Sequence, residues 1–266
     1  MSLSAPAFFR LRRYQGIQPA QSLPAFLLQY LGGPGLCLAV AFVVLQPLHG
    51  DFWWADHIYA WGHHAWAWKD RVLTESILHR GGRNVSTLAW VLLACLTLLS
   101  SVRAAWTPWR RPLLYLLLAT AATTLLVGAL KRFTDMDCPW DLLHYGGTRE
   151  YVGLWQMRPL GMSRAACFPA GHASAGYGWV ALYFFFRATL PQWRGYGLGI
   201  GLGLGLLFGM AQQWRGAHFL SHDLATLAIA WAISTVLYRA MRLPDRVLAA
   251  EPAAALSLPA LAEAQP

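Results

Sequence analysis

Charge is scarce in this sequence. Asp, Glu, Lys and Arg make up 12% of its 266 residues, against roughly 25% in an ordinary soluble domain. With 56% hydrophobic residues and 14 Trp, that scarcity excludes a soluble globular chain and marks a membrane protein. Lysine is nearly missing, with only Lys69 and Lys131 present. The net charge of +9 is carried by scattered arginines that form no stripe or run, which argues against a nucleic-acid partner. A cleavable leader is not expected either. The start, MSLSAPAFFRLRRYQG, is basic, but the long apolar segment behind it has no small-x-small cleavage site and is expected to stay as an anchor. The glycine-rich stretch GYGLGIGLGLG is followed by no Lys or Ser/Thr suited to cradling phosphate.

Long apolar runs are what the chain has instead. A membrane span needs about 20 mostly apolar residues, and runs of that kind lie at roughly 26–47, 86–104, 112–131, 172–189, 195–213 and 219–239. The first is interrupted by GGPG, and a kink is expected near Pro34. In the fifth, glycines fall into i, i+4 rows that permit close approach of neighbouring helices. The expected fold is therefore all-α, an integral membrane bundle of six transmembrane helices. Residues 1–25 are expected as a cytoplasmic N-terminal segment, 26–240 as the membrane domain and 241–266 as a flexible cytoplasmic tail. Basic residues divide almost evenly between the two sides, but those on the inner side flank spans in short segments, where they count most. Both termini are accordingly expected in the cytoplasm.

Two outer loops are long. The first, about 48–85, contains DFWWADHIYAWGHHAWAWKD and reads as an interfacial helical segment at headgroup level, where Trp prefers to sit. A metal site built from His57, His63 and His64 is the competing reading. The second runs over about 132–171.

Polar residues gather at one membrane depth in three groups. Lys131 closes the third span in KRFTDMDCPWD. His172 opens the fourth in CFPAGHAS. Arg215, His218, His222 and Asp223 bridge the fifth and sixth in WRGAHFLSHD. One histidine at a span end is ordinarily a snorkelling interfacial residue, but ionisable groups converging at a common depth are functional suspects. Lys131 and Arg215 suit phosphate oxygens. One histidine can attack phosphorus while a second protonates the leaving oxygen. The amides of Gly171 and His172 at a helix start favour an anion. Together these groups suggest phosphate-ester cleavage that needs neither a metal nor another cofactor.

The three groups resemble the signature motifs of the type 2 phosphatidic acid phosphatase (PAP2) superfamily: a lysine, six residues, then Arg-Pro; Pro-Ser-Gly-His; and Ser-Arg, five residues, His, three residues, Asp. Motif order, the gaps between motifs and six-span topology match over residues 86 to 240. The resemblance implies that His218 is the nucleophile and forms a phosphohistidine, that Asp223 orients its ring, and that His172 protonates the leaving group and then activates water. Lys131, Arg215 and Gly171 would hold the phosphate. The implied substrate is a lipid phosphate or pyrophosphate, met among membrane lipids at the outer, periplasmic face of a bacterial inner membrane. The third-ranked possibilities stay open: a lipid phosphotransferase using the same site, a metal-dependent hydrolase using His218 and His222, and a non-catalytic lipid-phosphate binding or transport protein.

The chain departs from the family pattern at several positions. The first motif's arginine falls on Cys138, so a phosphate ligand is missing unless Arg132, Arg149 or Arg158 supplies it; Arg158-Pro159 restores the pair further along. Ala170 replaces the serine of the second motif and leaves only its backbone N–H. In the third motif the arginine falls on Gln212 and the aspartate on His222, with Asp223 one place late. At about 100° per residue, position i+4 lies ~40° and i+5 ~140° off the His218 direction, so Asp223 reaches His218 only if the helix bulges or begins after it. The alternative makes His222 the nucleophile, with Thr226 where an aspartate would stand. Asp135, Asp137 and Asp141 are expected to pair with Arg132, Arg149 or Arg158. Cys37 and Cys95 lie in spans; Cys138 and Cys167 share the second outer loop, and a disulfide between them is expected in an oxidising compartment.

Overall fold

The computed structural model describes residues 14–17 and 21–248. Most of the expected N-terminal segment and of the tail 241–266 lies outside those residues. Helix α1, Leu23–Leu45, starts where the Ser22 side chain accepts the Ala25 N–H at 3.4 Å, with Pro24 in the first turn, both being helix-start signals. Its Leu28–Gly32 stretch winds as a π turn just before Pro34, which has no N–H and crowds the carbonyl four residues back. The wide turn absorbs that misfit, and this is the irregularity expected near Pro34.

Helix α2, Gly50–Trp61, lies between α1 and the next long apolar helix and buries Asp51, Ala55 and Ile58, while Trp53 and Trp61 stay more than half exposed. Helix α3, Val72–Val102, is π-wound over Val72–Gly81. Helices α4, Ala104–Leu130, α6, Pro191–Trp214, and α7, Leu220–Ala240, are regular for most of their length. Between α4 and α6, residues 171–189 form a run labelled here α5, split into Gly171–Tyr177, Gly178–Ala181 and Leu182–Thr189.

Among the described residues the fold is all-helical but for one short strand pairing and an isolated bridge between Leu142 and Arg149, and five helices, α1, α3, α4, α6 and α7, are long and apolar enough to cross a membrane. The sixth expected span, α5, is not among them. It opens with Gly171, His172, Ser174, Gly176 and Gly178, and most of it is buried between its neighbours. Small residues of this kind serve helix contact rather than lipid contact. Tyr14–Ile17 pairs antiparallel with Arg246–Leu248, so the two ends of the described chain meet.

Glycine sets the α5–α6 distance. A Cβ on Gly176 would lie 2.5 Å from the backbone nitrogen of Gly205, and one on Gly201 would lie 2.3 Å from that of Val180. The row Gly197, Gly201, Gly205 and Gly209 faces inward, whereas Gly195, Gly199 and Gly203 have nothing within 4 Å of an added Cβ. The i, i+4 row thus brings two backbones together and, at Gly209, makes room for a side chain of α7.

The loop between α4 and α5 is held by buried polar contacts rather than regular structure. Asp137, 2% exposed, receives Arg149 at 2.6 Å and Arg158 at 2.7 Å. Cys138 and Cys167 are joined as a disulfide with Cα atoms 5.3 Å apart. Its two arms thereby deliver Lys131 and α5 to the same place.

Candidate functional site

Lys131 follows the last turn of α4 and reaches over the start of α5. A Cβ on Gly171 would lie 3.2 Å from Lys131 Nζ, so glycine permits that approach. Lys131 makes no ion pair or side-chain hydrogen bond among the described residues, and burial holds its pKa below the ordinary lysine range. The Ala170 N–H, expected to remain for phosphate, instead donates to the His222 carbonyl at 3.1 Å, and Thr226 Oγ1 donates to the Ala170 carbonyl at 3.1 Å. These two bonds fix the start of α5 against α7. The Gly171 and His172 amides sit in the first turn, where no intrahelical acceptor exists. His172 Nε2 lies 3.1 Å from the Leu78 carbonyl, and its ring centre is 4.5 Å from that of His79.

His218 precedes α7, which begins at Leu220. The helix therefore does begin after the histidine, one of the two conditions under which Asp223 was expected to reach it. Asp223 nevertheless turns the other way. Its carboxylate accepts from the Gln213 side chain and occupies the space left by Gly209, where a Cβ would lie 2.3 Å away. The expected Asp223–His218 contact is thus not formed, because α6 offers the buried carboxylate both a donor and a gap. The partner of His218 Nδ1 is instead His222 Nδ1, at 3.3 Å. His222 is fully buried. Burial, then the neighbouring His222, Lys131 and His172, hold the His218 pKa well below the ordinary histidine range.

The arginines are tied into the scaffold. Arg215 pairs with Glu75, donates to Gln212 Oε1 at 3.0 Å and donates to the Lys69 carbonyl at 2.8 Å. Arg215 thus reaches the glutamine on which the family's arginine falls. Arg158, expected as a phosphate ligand, is not free for that role. It donates to Asp137, to the Asp135 carbonyl at 2.7 Å and to the Ser163 carbonyl at 2.9 Å, because a buried carboxylate in its own loop needs compensation. Of the three carboxylates expected to pair, Asp137 takes Arg149 and Arg158, Asp135 takes Arg164 at 3.4 Å instead, and Asp141 makes no ion pair among the described residues, while Arg132 contributes only its carbonyl to Arg164.

The histidine-rich first loop does not assemble a metal site. His57 Nδ1 lies 2.6 Å from the Trp53 carbonyl. Among the described residues the one trio of potential ligand atoms is Cys138, Asp141 and Cys167, two of which are engaged in the disulfide.

A cavity of about 640 Å³ opens between α3, α4 and α5. Lys131, Gly171, His172, His79 and Arg83 line one end, and Trp90, Thr120, Ala121, Thr124, Leu125 and Trp179 line the rest. His218 is not part of its wall. His79, Arg83 and Glu75 were not singled out from the sequence. Their signal was the His79–Arg83 spacing of four, one face of a helix, just ahead of the second apolar run. His79 is anchored by Gln212, whose Nε2 lies 2.9 Å from its Nδ1.

No curated protein and no solved structure matches the chain significantly. The family model of the PAP2 superfamily matches residues 112–245, just over half of the chain, and that stretch contains Lys131, Gly171, His172, His218 and the Cys138–Cys167 loop. With its three polar groups brought to one end of a helical membrane bundle, the chain belongs to the PAP2 superfamily.

Proposed function

We propose that this protein is an integral membrane phosphatase that hydrolyses a lipid phosphate or pyrophosphate through a phosphohistidine. The observation that carries the reading is a cavity with Lys131, Gly171 and His172 on its wall, next to His218, on which Lys131 and His172 both act. The cavity's cationic end is at Lys131, and it extends along α4 as far as Thr120, eleven residues or ~16 Å of helix. A phosphate fits the first end and an apolar chain fits the remainder.

His218 Nε2 attacks phosphorus as the P–O bond to the lipid breaks, and His172 gives a proton to the leaving oxygen. His172 then takes a proton from water, whose oxygen attacks phosphorus and breaks the P–N bond. Lys131 and the first-turn amides hold the phosphate oxygens, and stabilising the charge on those oxygens supplies most of the acceleration. Arg215 joins them once the substrate dianion displaces Glu75. The site faces the periplasm of a bacterial inner membrane, with both termini in the cytoplasm. Arginines flanking the spans support that orientation, and the pairing of Tyr14–Ile17 with Arg246–Leu248 supports an even number of crossings, with α5 as the sixth.

The test compares phosphate release from a long-chain lipid phosphate and a short-chain water-soluble analogue, in wild type and in Thr124→Trp, which fills the cavity. The expected result is at least a tenfold loss with the long chain and little change with the short one. Equal treatment of both substrates by the wild type would remove the cavity from the argument.

A further inference from the structure

We propose that His222 is the positioning residue of the nucleophile, so that a pair of histidines does the orienting that was expected of a carboxylate. The inference rests on the phosphatase reading above and adds a role within the same site.

For His218 Nε2 to present its lone pair to phosphorus, the ring must carry its proton on Nδ1. That atom faces His222 Nδ1 at 3.3 Å, which must then act as acceptor. His222 therefore carries its own proton on Nε2, a buried atom with no hydrogen-bond partner among the described residues. The His222 ring cannot easily rotate away. Phe168 and Phe219 stand edge-on to it with ring centres at 5.3 and 5.5 Å, and its backbone carbonyl holds Ala170. The groups acting on the pair are Lys131, His172 and the Cys167 carbonyl. Among the described residues no carboxylate hydrogen-bonds either ring, and Asp223 is held by Gln213 on the far side.

As the P–N bond forms and the P–O bond breaks, the His218 ring becomes cationic and its Nδ1 proton moves toward His222 Nδ1. When water attacks and the P–N bond breaks, the electron pair returns to His218 Nε2 and the proton to Nδ1. His172 supplies the proton for the leaving group in the first half and accepts one from water in the second, so the cycle closes without a further acid or base.

The experiment measures phosphate release against pH in detergent for wild type, His222→Ala, His222→Asp and Asp223→Asn, with folding checked by thermal melt. His222→Phe, which fills the space without a nitrogen, replaces the alanine variant if that one does not fold. His222→Ala is expected to lower kcat by about 10²-fold or more with KM within a few-fold. His222→Asp is expected to recover most of that loss and to move the acidic limb of the profile toward the carboxylate range. Wild-type kcat in His222→Ala, an aspartate variant as inactive as the alanine one, or a greater loss in Asp223→Asn than in His222→Ala would overturn the pair. His172→Ala and His218→Ala run alongside. If either retains turnover, the phosphatase reading itself falls, whereas their inactivity beside an active His222→Ala removes the histidine pair alone.

Discussion

Asp51 and Ser221, 170 residues apart, are joined at the start of α7: Asp51 Oδ1 accepts the Ser221 backbone N–H at 2.8 Å. The Ser221 hydroxyl bonds the other carboxylate oxygen, to which Gln46 also donates at 2.6 Å. Helix α2 thereby caps the helix that carries His222. Removing the carboxylate leaves a buried N–H unsatisfied, at a cost of about 1–3 kcal/mol. Asp51→Ala should melt earlier in detergent and turn over more slowly, and an unchanged melting curve would show that the cap contributes nothing.

Burial pushes the Asp51 carboxyl up to about 6 despite these hydrogen bonds. Folding thus favours its neutral form, whose contribution is complete below the usual carboxylate pKa and is lost as pH rises through about 6. The stability of wild type relative to Asp51→Asn should fall between pH 4 and 7, by up to about 3 kcal/mol. His218, held low, works in the opposite direction, adding stability at high pH that is lost on acidification, and the paired comparison cancels it. Melting temperatures of both proteins across that range check the sign, and a flat or rising difference contradicts it.

The α6 glycines should divide by face. A Cβ on Gly205 would lie 2.0 Å from the Tyr177 ring, and one on Gly209 would strike Asp223. Alanine at either position should destabilise by about 1–3 kcal/mol. Gly203→Ala, with open space around it, should be neutral or stabilising by up to about 1 kcal/mol through helix propensity. Thermal melts of the three variants decide it, and equal effects on both faces would refute the packing.

The Cys138–Cys167 bridge closes a loop of 29 residues, for which chain entropy gives about 3–4 kcal/mol. Alkylation without reductant should label Cys37 and Cys95 and leave the other two unmodified, and reduction should lower the melting temperature. Labelling of all four thiols in native protein would rule the bridge out.

Lys131 and Arg158 should fail differently. Lys131→Gln removes an unpaired cation beside His172 and should lower kcat/KM by about 10²-fold. Arg158→Gln leaves the buried Asp137 with Arg149 alone, and its loss should appear as about 3 kcal/mol of stability. Kinetics and melts measured on the same preparations distinguish the two, and an Arg158 effect confined to KM would return it to the phosphate site.

That Lys131, Gly171 and His172 would lie near one another could be expected from the sequence because each sits at the end of an apolar run or the start of a helix, and the structure brings them to one cavity wall beside His218. Arg158 and Asp223 could not be placed, because which partner a buried charge finds depends on packing. Gln213 lies ten residues before Asp223, and the gap at Gly209 exists only once α6 meets α7. Spacing alone had already put His222 about 40° from the His218 direction, but only the structure shows their nitrogens facing. The sixth expected span is not one long apolar helix because α5 breaks into three short stretches enclosed by their neighbours, and hydropathy along the sequence shows neither the breaks nor the enclosure. Asp51 and Glu75 left no signal, since their partners, Ser221 and Arg215, lie more than a hundred residues away.

The most direct test of the account is phosphate release from a panel of lipid phosphates by purified protein with chelator present, wild type beside His172→Ala and His218→Ala. The account predicts release that survives the chelator and is lost in both variants, with labelled phosphate found on His218 when wild type is quenched during turnover. Release that stops with chelator, or that persists in His218→Ala, would contradict it.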